Sequence, residues 1–210
     1  LIVILDAKRG DIGSTAEGYA QGYLGEAAAA PCDAITVNPY MGVETLEPFV
    51  AVAERTGKGV VVLARTSNPG SADFQAKLID GEPLYMHVAR AMRPLIRRLA
   101  GRDTPWSGLM LVAGATGPAE ARRLREAASE ALFLVPGYGA QGASAADALA
   151  GFRRTSSGWE GGLVNASRSI AFTPAAIDAS RAAQWEAAVD SALNKACADL
   201  AAATGSSPAA

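Results

Sequence analysis

The chain has 210 residues, of which 50% are hydrophobic and 19% are charged, and this apolar content excludes an intrinsically disordered protein. Its 19 basic residues are balanced by 21 acidic ones, which argues against a general nucleic-acid-binding protein. Two distant cysteines and one histidine give no pattern of a disulfide framework or a zinc site. No apolar run approaches the ~20 residues that a membrane-spanning helix needs.

The chain opens with five apolar residues, Leu1 to Leu5, without the basic start and small-residue cleavage site of a signal peptide. We therefore expect a cytoplasmic protein. Because the first residue is leucine and lies in what resembles a buried strand, we also expect the natural amino terminus to lie upstream.

Short apolar runs alternate with longer stretches of helical periodicity along the whole chain. The runs predict strands at residues 1–7, 34–38, 59–65, 108–113, 132–135 and 162–165. The periodic stretches predict helices at residues 14–24, 43–56, 83–100, 118–129, 143–152 and 174–203, the third of them kinked at Pro94. This order predicts an α/β fold with a parallel sheet in one domain over residues 1–203, followed by a flexible tail over 204–210.

Six βα units are compatible with two architectures, an open doubly wound sheet or a (β/α)8 barrel that lacks two units. An open sheet of the dinucleotide-binding type predicts a glycine-rich turn after the first strand, where this chain has charged residues instead. Both folds place functional residues at the carboxyl ends of the strands, so the pattern alone leaves the choice open.

The first predicted strand ends in three charged residues, Asp6, Lys8 and Asp11. Side chains alternate along a strand, so Asp6 and Lys8 share one side, which the preceding apolar run predicts to be buried. A buried acid and amine are costly unless they pair, and in active sites such an amine can donate a proton. Asp11 follows in a loop that can aim it at Lys8 or at a partner subunit. A purely structural ion pair is the open alternative.

Two later segments predict phosphate binding. The run PGYGAQG at residues 136–142 follows the fifth strand, and its glycines let backbone N–H groups approach an anion. Arg168 follows the sixth strand and provides a forked donor for phosphate. After the third strand, Ser67 and Asn68 can hydrogen-bond a planar heterocycle, although such residues also form ordinary turns.

Four motifs together resemble the orotidine 5′-phosphate decarboxylase family. The run DAKRGDI at residues 6–12 is similar to the family signature D-x-K-x-x-D-I. The runs TSNPG at 66–70, PGYGAQG at 136–142 and SR at 167–168 resemble its other motifs in the same order, in the longer bacterial form. The resemblance covers nearly the whole chain and implies a (β/α)8 TIM barrel, a homodimer, and catalysis without metal or organic cofactor.

The resemblance also implies a reaction, the decarboxylation of orotidine 5′-phosphate to uridine 5′-phosphate in pyrimidine biosynthesis. Lys8 is then the donor that protonates C6 after carbon dioxide leaves. Asp6 lies beside the substrate carboxylate and keeps Lys8 protonated. Asp11 reaches across the dimer interface, with Ile12 and Thr15 beside it near the ribose and base.

The remaining implied contacts lie at the other end of the substrate. They are Ser67 on the pyrimidine, Gln141 and Arg168 on the phosphate, Pro136 and Gly137 beside them, and a mobile loop from Gly137 to about Gly158. In the family, the D-x-K strand is the third of eight, and the first two strands supply a ribose-binding aspartate and a further lysine. We therefore expect a barrel with about six βα units that lacks roughly 60 amino-terminal residues.

Two alternatives to a decarboxylase stay open. One is a sister barrel enzyme that shares D-x-K-x-x-D and acts on a keto-sugar phosphate with Mg²⁺. The other is a non-catalytic remnant that binds phosphorylated ligands or another subunit.

Overall fold

The computed structural model describes residues 1–205. Its strands are β1 (Ile4–Arg9), β2 (Ala34–Val37), β3 (Gly59–Arg65), β4 (Leu78–Ile79), β5 (Glu82–Pro83), β6 (Ser107–Ala113), β7 (Ala131–Val135), β8 (Arg153–Thr155), β9 (Gly158–Glu160) and β10 (Gly162–Val164). Its α-helices are α1 (Gly13–Leu24), α2 (Glu47–Thr56), α3 (Ser71–Phe74), α4 (Leu84–Ala91), α5 (Arg93–Arg98), α6 (Pro118–Ala127), α7 (Ala145–Ala148), α8 (Arg168–Ala171), α9 (Pro174–Ile177) and α10 (Ala182–Thr204). A 3₁₀ helix at Val43–Leu46 precedes α2. None of these helices is long and apolar enough to cross a membrane.

Six strands form one parallel sheet in the order β1-β2-β3-β6-β7-β10. Strands that follow one another in this sheet are joined by segments that contain helices, as parallel pairing requires. The other four strands form two antiparallel hairpins, β4–β5 and β8–β9. Within residues 1–205, β1 and β10 each have one neighbour in the sheet, so the sheet is open at both edges.

The two faces of the sheet differ in what covers them. One face packs against the helices and forms the main core, which includes Ile35, Leu111 and Phe133. The opposite face carries a smaller apolar cluster around Val61 and Val112. Alternation along the strands separates the two sets, and the second face is the floor of the cavity described below.

All six predicted strands are confirmed, with ends within three residues of those predicted. The predicted helix at 83–100 is divided at Met92 into α4 and α5, because Pro94 in the first turn of α5 cannot continue the hydrogen bonding of α4. The predicted helix at 174–203 is two helices, α9 and α10, and the one at 143–152 is reduced to α7. Thr204 belongs to α10, and residues 206–210 of the predicted tail lie outside the described residues.

The opening of the chain corrects another prediction. Leu1, Ile2 and Val3 are exposed, and β1 begins only at Ile4, so the apolar run is not a buried strand. Its backbone pairs with β2 on one side alone within the described residues, and the face toward the cavity is open. The apolar composition of the run therefore overestimates its burial.

Candidate active site

A cavity of about 690 Å³ opens on the second face of the sheet. Its apolar floor comes from five strands of the sheet and includes Ile4, Leu63, Val112, Leu134 and Leu163. Its polar rim includes Asp6, Lys8, Thr66, Ser67, Asn68, Gln141 and Asn165. The rim residues lie at or beyond the carboxyl ends of their strands, where α/β proteins of this kind bind ligands. The cavity therefore brings the charged end of β1 together with the segments that follow β3 and β7.

Asp6 and Lys8 form an ion pair on the rim, with 2.5 Å between Lys8 Nζ and Asp6 Oδ1. The predicted pairing is present, but the predicted burial is wrong, because the Lys8 and Asp6 side chains are 51% and 63% exposed. Within residues 1–205 both residues lie on a strand at the edge of the sheet and beside an open cavity. An exposed pair stabilises a fold by at most about 1 kcal/mol, so stability alone does not account for this arrangement.

The backbone of β1 is irregular at the ion pair. The pairing register shifts between Leu5 and Arg9, so that residues 6–8 of β1 all lie opposite Thr36 of β2. Lys8 has a φ of +47°, a conformation that costs a residue with a Cβ about 1–3 kcal/mol. Bulges of this kind re-aim side chains beside active sites. The position of the Lys8 ammonium therefore depends on a strained bulge.

Ser67 is held between backbone segments that follow β6 and β7. A Cβ at Gly114 would lie 2.8 Å from Ser67 Cα, and a Cβ at Gly137 would lie 2.9 Å from Ser67 Cβ. Gly137 also has a φ of +104°, which other residues rarely adopt. Thr116 Oγ1 donates a hydrogen bond of 3.0 Å to the Ser67 carbonyl oxygen. Two glycines and one threonine thus fix Ser67 on the rim.

The segment that leads into Ser67 is fixed by its own hydrogen bonds. Arg65 donates to the Thr66 carbonyl oxygen and, at 2.5 Å, to Ser71 Oγ, and its guanidinium lies 3.6 Å from the Glu120 carboxylate. The Thr66 N–H donates to Gln75 Oε1 at 2.8 Å. These contacts fix the backbone immediately before Ser67.

A second cavity of about 640 Å³ adjoins the first. Ser67, Asn68 and Gln141 line both cavities, and Arg168 lines the second. Arg168 is the first residue of α8 and is exposed, as is Gln141. The two residues expected to bind phosphate therefore share one cavity next to Ser67, and Pro136 lines the first cavity beside them.

The segment from Gly137 to about Gly158, predicted to be one loop, contains a short helix and the start of a hairpin. Residues 137–144 and 149–152 lie outside the named helices and strands, whereas residues 145–148 form α7, whose start has a reciprocal capping box between Ser144 and Asp147. The hairpin β8–β9 then begins at Arg153.

Tyr138, near the start of this segment, donates a 2.7 Å hydrogen bond to Asp199 of α10. Burial and this carboxylate raise the pKa of Tyr138 to about 12.

Asp11, Ile12 and Thr15 line neither cavity. Asp11 lies before α1, where its Oδ1 accepts a 2.9 Å hydrogen bond from the Ile12 N–H. The side chains of Ile12 and Thr15 are exposed on the protein surface. The structure therefore does not bring these three residues together with Lys8 within one chain.

Sequence reasoning missed Thr36, Arg65 and Gly114 as supports of the site. Thr36 lies in the strand AITV, where a threonine is an ordinary β-former and gives no signal of its own. Arg65 could have been noticed as a charged residue at the end of an apolar strand. Among residues 1–205, no group of three or more His, Cys, Asp or Glu side chains is arranged to hold a metal ion.

Comparison with known proteins supports the resemblance found in the motifs. The chain is 44% identical to the orotidine 5′-phosphate decarboxylase of Rhodopirellula baltica over 82% of its own length and 57% of that protein. It is 47% identical to the enzyme of the same name from Azoarcus sp., over 87% of this chain and 62% of that one. The chain thus spans about 60% of the length of these curated relatives.

A solved structure gives the same result for the fold. The OMP decarboxylase of Leishmania donovani superposes with a TM-score of 0.69 at 35% sequence identity, covering 98% of this chain and 69% of that one. The fold is therefore of the (β/α)8 barrel class, with six parallel barrel strands among the described residues. The family model described as "Orotidine 5'-phosphate decarboxylase / HUMPS family" matches residues 1–183. The chain belongs to this family.

Proposed function

We propose that the protein decarboxylates orotidine 5′-phosphate to uridine 5′-phosphate in the cytoplasm. The observation that carries the proposal is the Asp6–Lys8 ion pair on the rim of a cavity that Ser67 and Gln141 also line. Relatives with 44% and 47% identity carry the name of this enzyme. A cavity of about 690 Å³ lies within the usual range of small-molecule sites, roughly 300–1,000 Å³.

The substrate is oriented in the proposal by groups at two ends of the adjoining cavities. Gln141 and Arg168 bind the phosphate, and Ser67, which lines both cavities, hydrogen-bonds the pyrimidine. The C6 atom and its carboxylate then face Asp6 and Lys8 on the opposite part of the rim. This order matches a nucleotide, whose phosphate and base are separated by the ribose.

The chemical step breaks the bond between C6 and the carboxylate carbon. Carbon dioxide leaves, the electron pair stays on C6 as a vinyl carbanion, and a proton moves from Lys8 Nζ to C6. The ammonium of Lys8 stabilises charge that develops only in the transition state, which is the interaction that accelerates a reaction. The transfer leaves Lys8 as a neutral amine, and a proton from water restores the ammonium before the next turnover.

The Asp6 carboxylate has two roles in this step. Its Oδ1 lies 2.5 Å from Lys8 Nζ, so the carboxylate holds the ammonium in place beside C6. Its negative charge also lies beside the substrate carboxylate, where the repulsion disappears once carbon dioxide has left. Binding energy from the distant phosphate holds the substrate against this repulsion.

We further propose a homodimer in which Asp11 enters the site of the partner subunit. Asp11 lines neither cavity of its own chain, and Ile12 beside it is 63% exposed. Tyr40 is 82% exposed and Met41 lies near Gly10, so an apolar surface adjoins Asp11. Ile12 and Thr15 would then contact the ribose and base from the partner side.

The Lys8→Ala substitution tests the decarboxylase proposal. In the natural protein we expect turnover of orotidine 5′-phosphate to fall by at least about 10³-fold, because both proton donation and charge stabilisation are lost. Lys195→Ala, on the exposed face of α10, is the matched control and retains wild-type turnover. Ordinary turnover by Lys8→Ala would contradict the role of Lys8.

The same assay separates the alternatives. A sister enzyme acting on a keto-sugar phosphate with Mg²⁺ would lose its activity in EDTA and would not release carbon dioxide from orotidine 5′-phosphate. A non-catalytic protein would show no turnover with either substrate. The expected result is carbon dioxide release that persists in EDTA.

A further inference from the structure

Thr36 lies directly beneath the ion pair and is completely buried. It belongs to β2, where its neighbours Ile35 and Val37 point into the main core, so Thr36 points to the cavity face. The Lys8 N–H donates a 2.8 Å hydrogen bond to Thr36 Oγ1. The Thr36 hydroxyl in turn lies 3.1 Å from Asp6 Oδ1, to which it donates.

These contacts form a closed ring with the ion pair. The backbone N–H of Lys8 donates to Thr36, and Nζ of Lys8 donates to Asp6. The Thr36 hydroxyl also donates to Asp6, and both of these donors reach the same oxygen, Oδ1. One hydroxyl therefore fixes both the backbone that carries the ammonium and the carboxylate that pairs with it. The Leu5 carbonyl oxygen lies 3.4 Å from the same hydroxyl.

The bulge explains why a side chain is needed at this point. Residues 6–8 lie opposite a single residue of β2, so regular backbone pairing between the strands is interrupted there. The Lys8 N–H would otherwise be a donor without a backbone partner on β2, and Thr36 Oγ1 takes that place. The φ of +47° at Lys8 persists only where the surroundings fix it, and this hydrogen bond is part of those surroundings.

We propose that Thr36 is a positioning residue for the proton donor, holding the Asp6–Lys8 pair in the geometry that the reaction needs. The proposal deepens the decarboxylase function above and rests on it for its catalytic consequence. Thr36 lines neither cavity, so it does not contact the substrate. It acts through Lys8 and Asp6, because a strained bulge without its buried hydrogen bond relaxes and moves the ammonium away from C6.

Two substitutions at Thr36 and one elsewhere test the proposal in the natural protein. Thr36→Val keeps the shape and removes the hydroxyl, whereas Thr36→Ser keeps the hydroxyl. Thr45→Val is the matched control, because Thr45 is also buried and its Oγ1 donates to the Gly42 carbonyl oxygen, away from the cavity.

The first measurement separates kcat from KM. We expect Thr36→Val to lower kcat by about 10- to 100-fold, the effect of losing a hydrogen bond to a charged group, with KM little changed. Thr36→Ser restores most of kcat, and Thr45→Val leaves it unchanged. Wild-type kcat in Thr36→Val, or an equal loss in Thr45→Val, would overturn the proposal.

The second measurement is hydrogen exchange at the Lys8 amide, which needs no catalysis. The amide exchanges at least about tenfold faster in Thr36→Val and stays protected in Thr36→Ser and Thr45→Val. Unchanged protection in Thr36→Val would show that Thr36 does not hold the bulge. If the wild-type protein fails to decarboxylate orotidine 5′-phosphate, the proposed function fails, and exchange at Lys8 still decides whether Thr36 positions the pair.

Discussion

At the β7 end of the sheet, the segment that carries Gln141 is anchored to the protein interior by a buried cation. At the β1 end, the Asp6–Lys8 pair is supported by one buried hydroxyl group, that of Thr36. Arg125 of α6 is the buried cation, and it donates hydrogen bonds to five carbonyl oxygens, those of Ala128, Ser129, Ala131, Gly151 and Gly161. Gly151 and Gly161 flank the hairpin β8–β9, so one side chain ties β7 to the end of the segment that follows it.

Carbonyl oxygens and aromatic rings surround the Arg125 guanidinium and stabilise its positive charge. Its guanidinium lies 3.8 Å from the centre of the Phe133 ring and 5.0 Å from that of Trp106. Burial, and after it the charge of Arg153, lower the pKa of Arg125 to about 10, which leaves it charged at pH 7. A buried cation with this many acceptors is rigid, because any displacement leaves several polar groups without partners.

The difference between the two ends follows the division of work in the proposed reaction. In the proposed reaction the β7 end supplies binding energy through the phosphate, and Arg125 ties it to the core. The ion-pair end supplies the proton and is supported by one buried hydroxyl and a strained bulge. Substitutions at the β7 end are therefore expected to affect stability and KM, and those at the β1 end to affect kcat.

Arg125→Met is expected to give the largest loss of stability. Each buried carbonyl left without a donor costs about 1–3 kcal/mol, so the free energy of unfolding falls by at least about 3 kcal/mol. Arg122→Met, on the exposed side of the same helix, is the control and changes stability by less than about 0.5 kcal/mol. Urea unfolding of the natural protein measures both. Equal small effects would mean that the β7 end is no better anchored than the β1 end.

Gly137→Ala is expected to weaken both substrate binding and stability. The added Cβ would lie 2.9 Å from Ser67 Cβ and displace it, which raises KM by at least about tenfold and costs about 1–3 kcal/mol of stability. Gly158→Ala is the control, because its φ of +121° gives comparable backbone strain but no atom lies within 4 Å of the added Cβ. Steady-state kinetics distinguishes them, and a similar KM in the two variants would show that strain, and not Ser67, is responsible.

The sequence predicts the sheet well because continuous apolar runs are a local signal of strands buried on both faces. All six barrel strands are found this way, including the short β10. The hairpins β4–β5 and β8–β9 are missed because their strands have two or three residues and no apolar pattern. The break between α9 and α10 is hidden by high alanine content, which favours a helix at every position.

The candidate site is predicted less completely than the fold. The D-x-K spacing identifies the pairing of Asp6 with Lys8, because residues two apart on a strand share a face. It does not identify their exposure, which depends on what lies beside the edge strand, or the support from Thr36, which depends on a bulge. Both are properties of packing between distant segments, and no local pattern encodes them.

Tyr138→Phe is expected to give the smallest effect and to test how firmly residues 136–142 are attached to α10. Loss of the hydrogen bond to Asp199 costs about 1 kcal/mol near pH 7, because the bond is partly exposed. The pKa of Tyr138 is raised from 10.0 to about 12, so its stabilising contribution is complete below pH 10 and is lost as the pH rises through 12. The stability difference between wild type and Tyr138→Phe therefore shrinks above pH 10.

Tyr40→Phe is the matched control for this titration, because the Tyr40 side chain is 82% exposed. Urea unfolding from pH 8 to pH 11 measures the three proteins under the same conditions. A difference between wild type and Tyr138→Phe that stays constant over this range would contradict the hydrogen bond to Asp199 as its cause. In that case α10 does not stabilise residues 136–142. The stability of the β7 end would then come from the hydrogen bonds of Arg125 in the core.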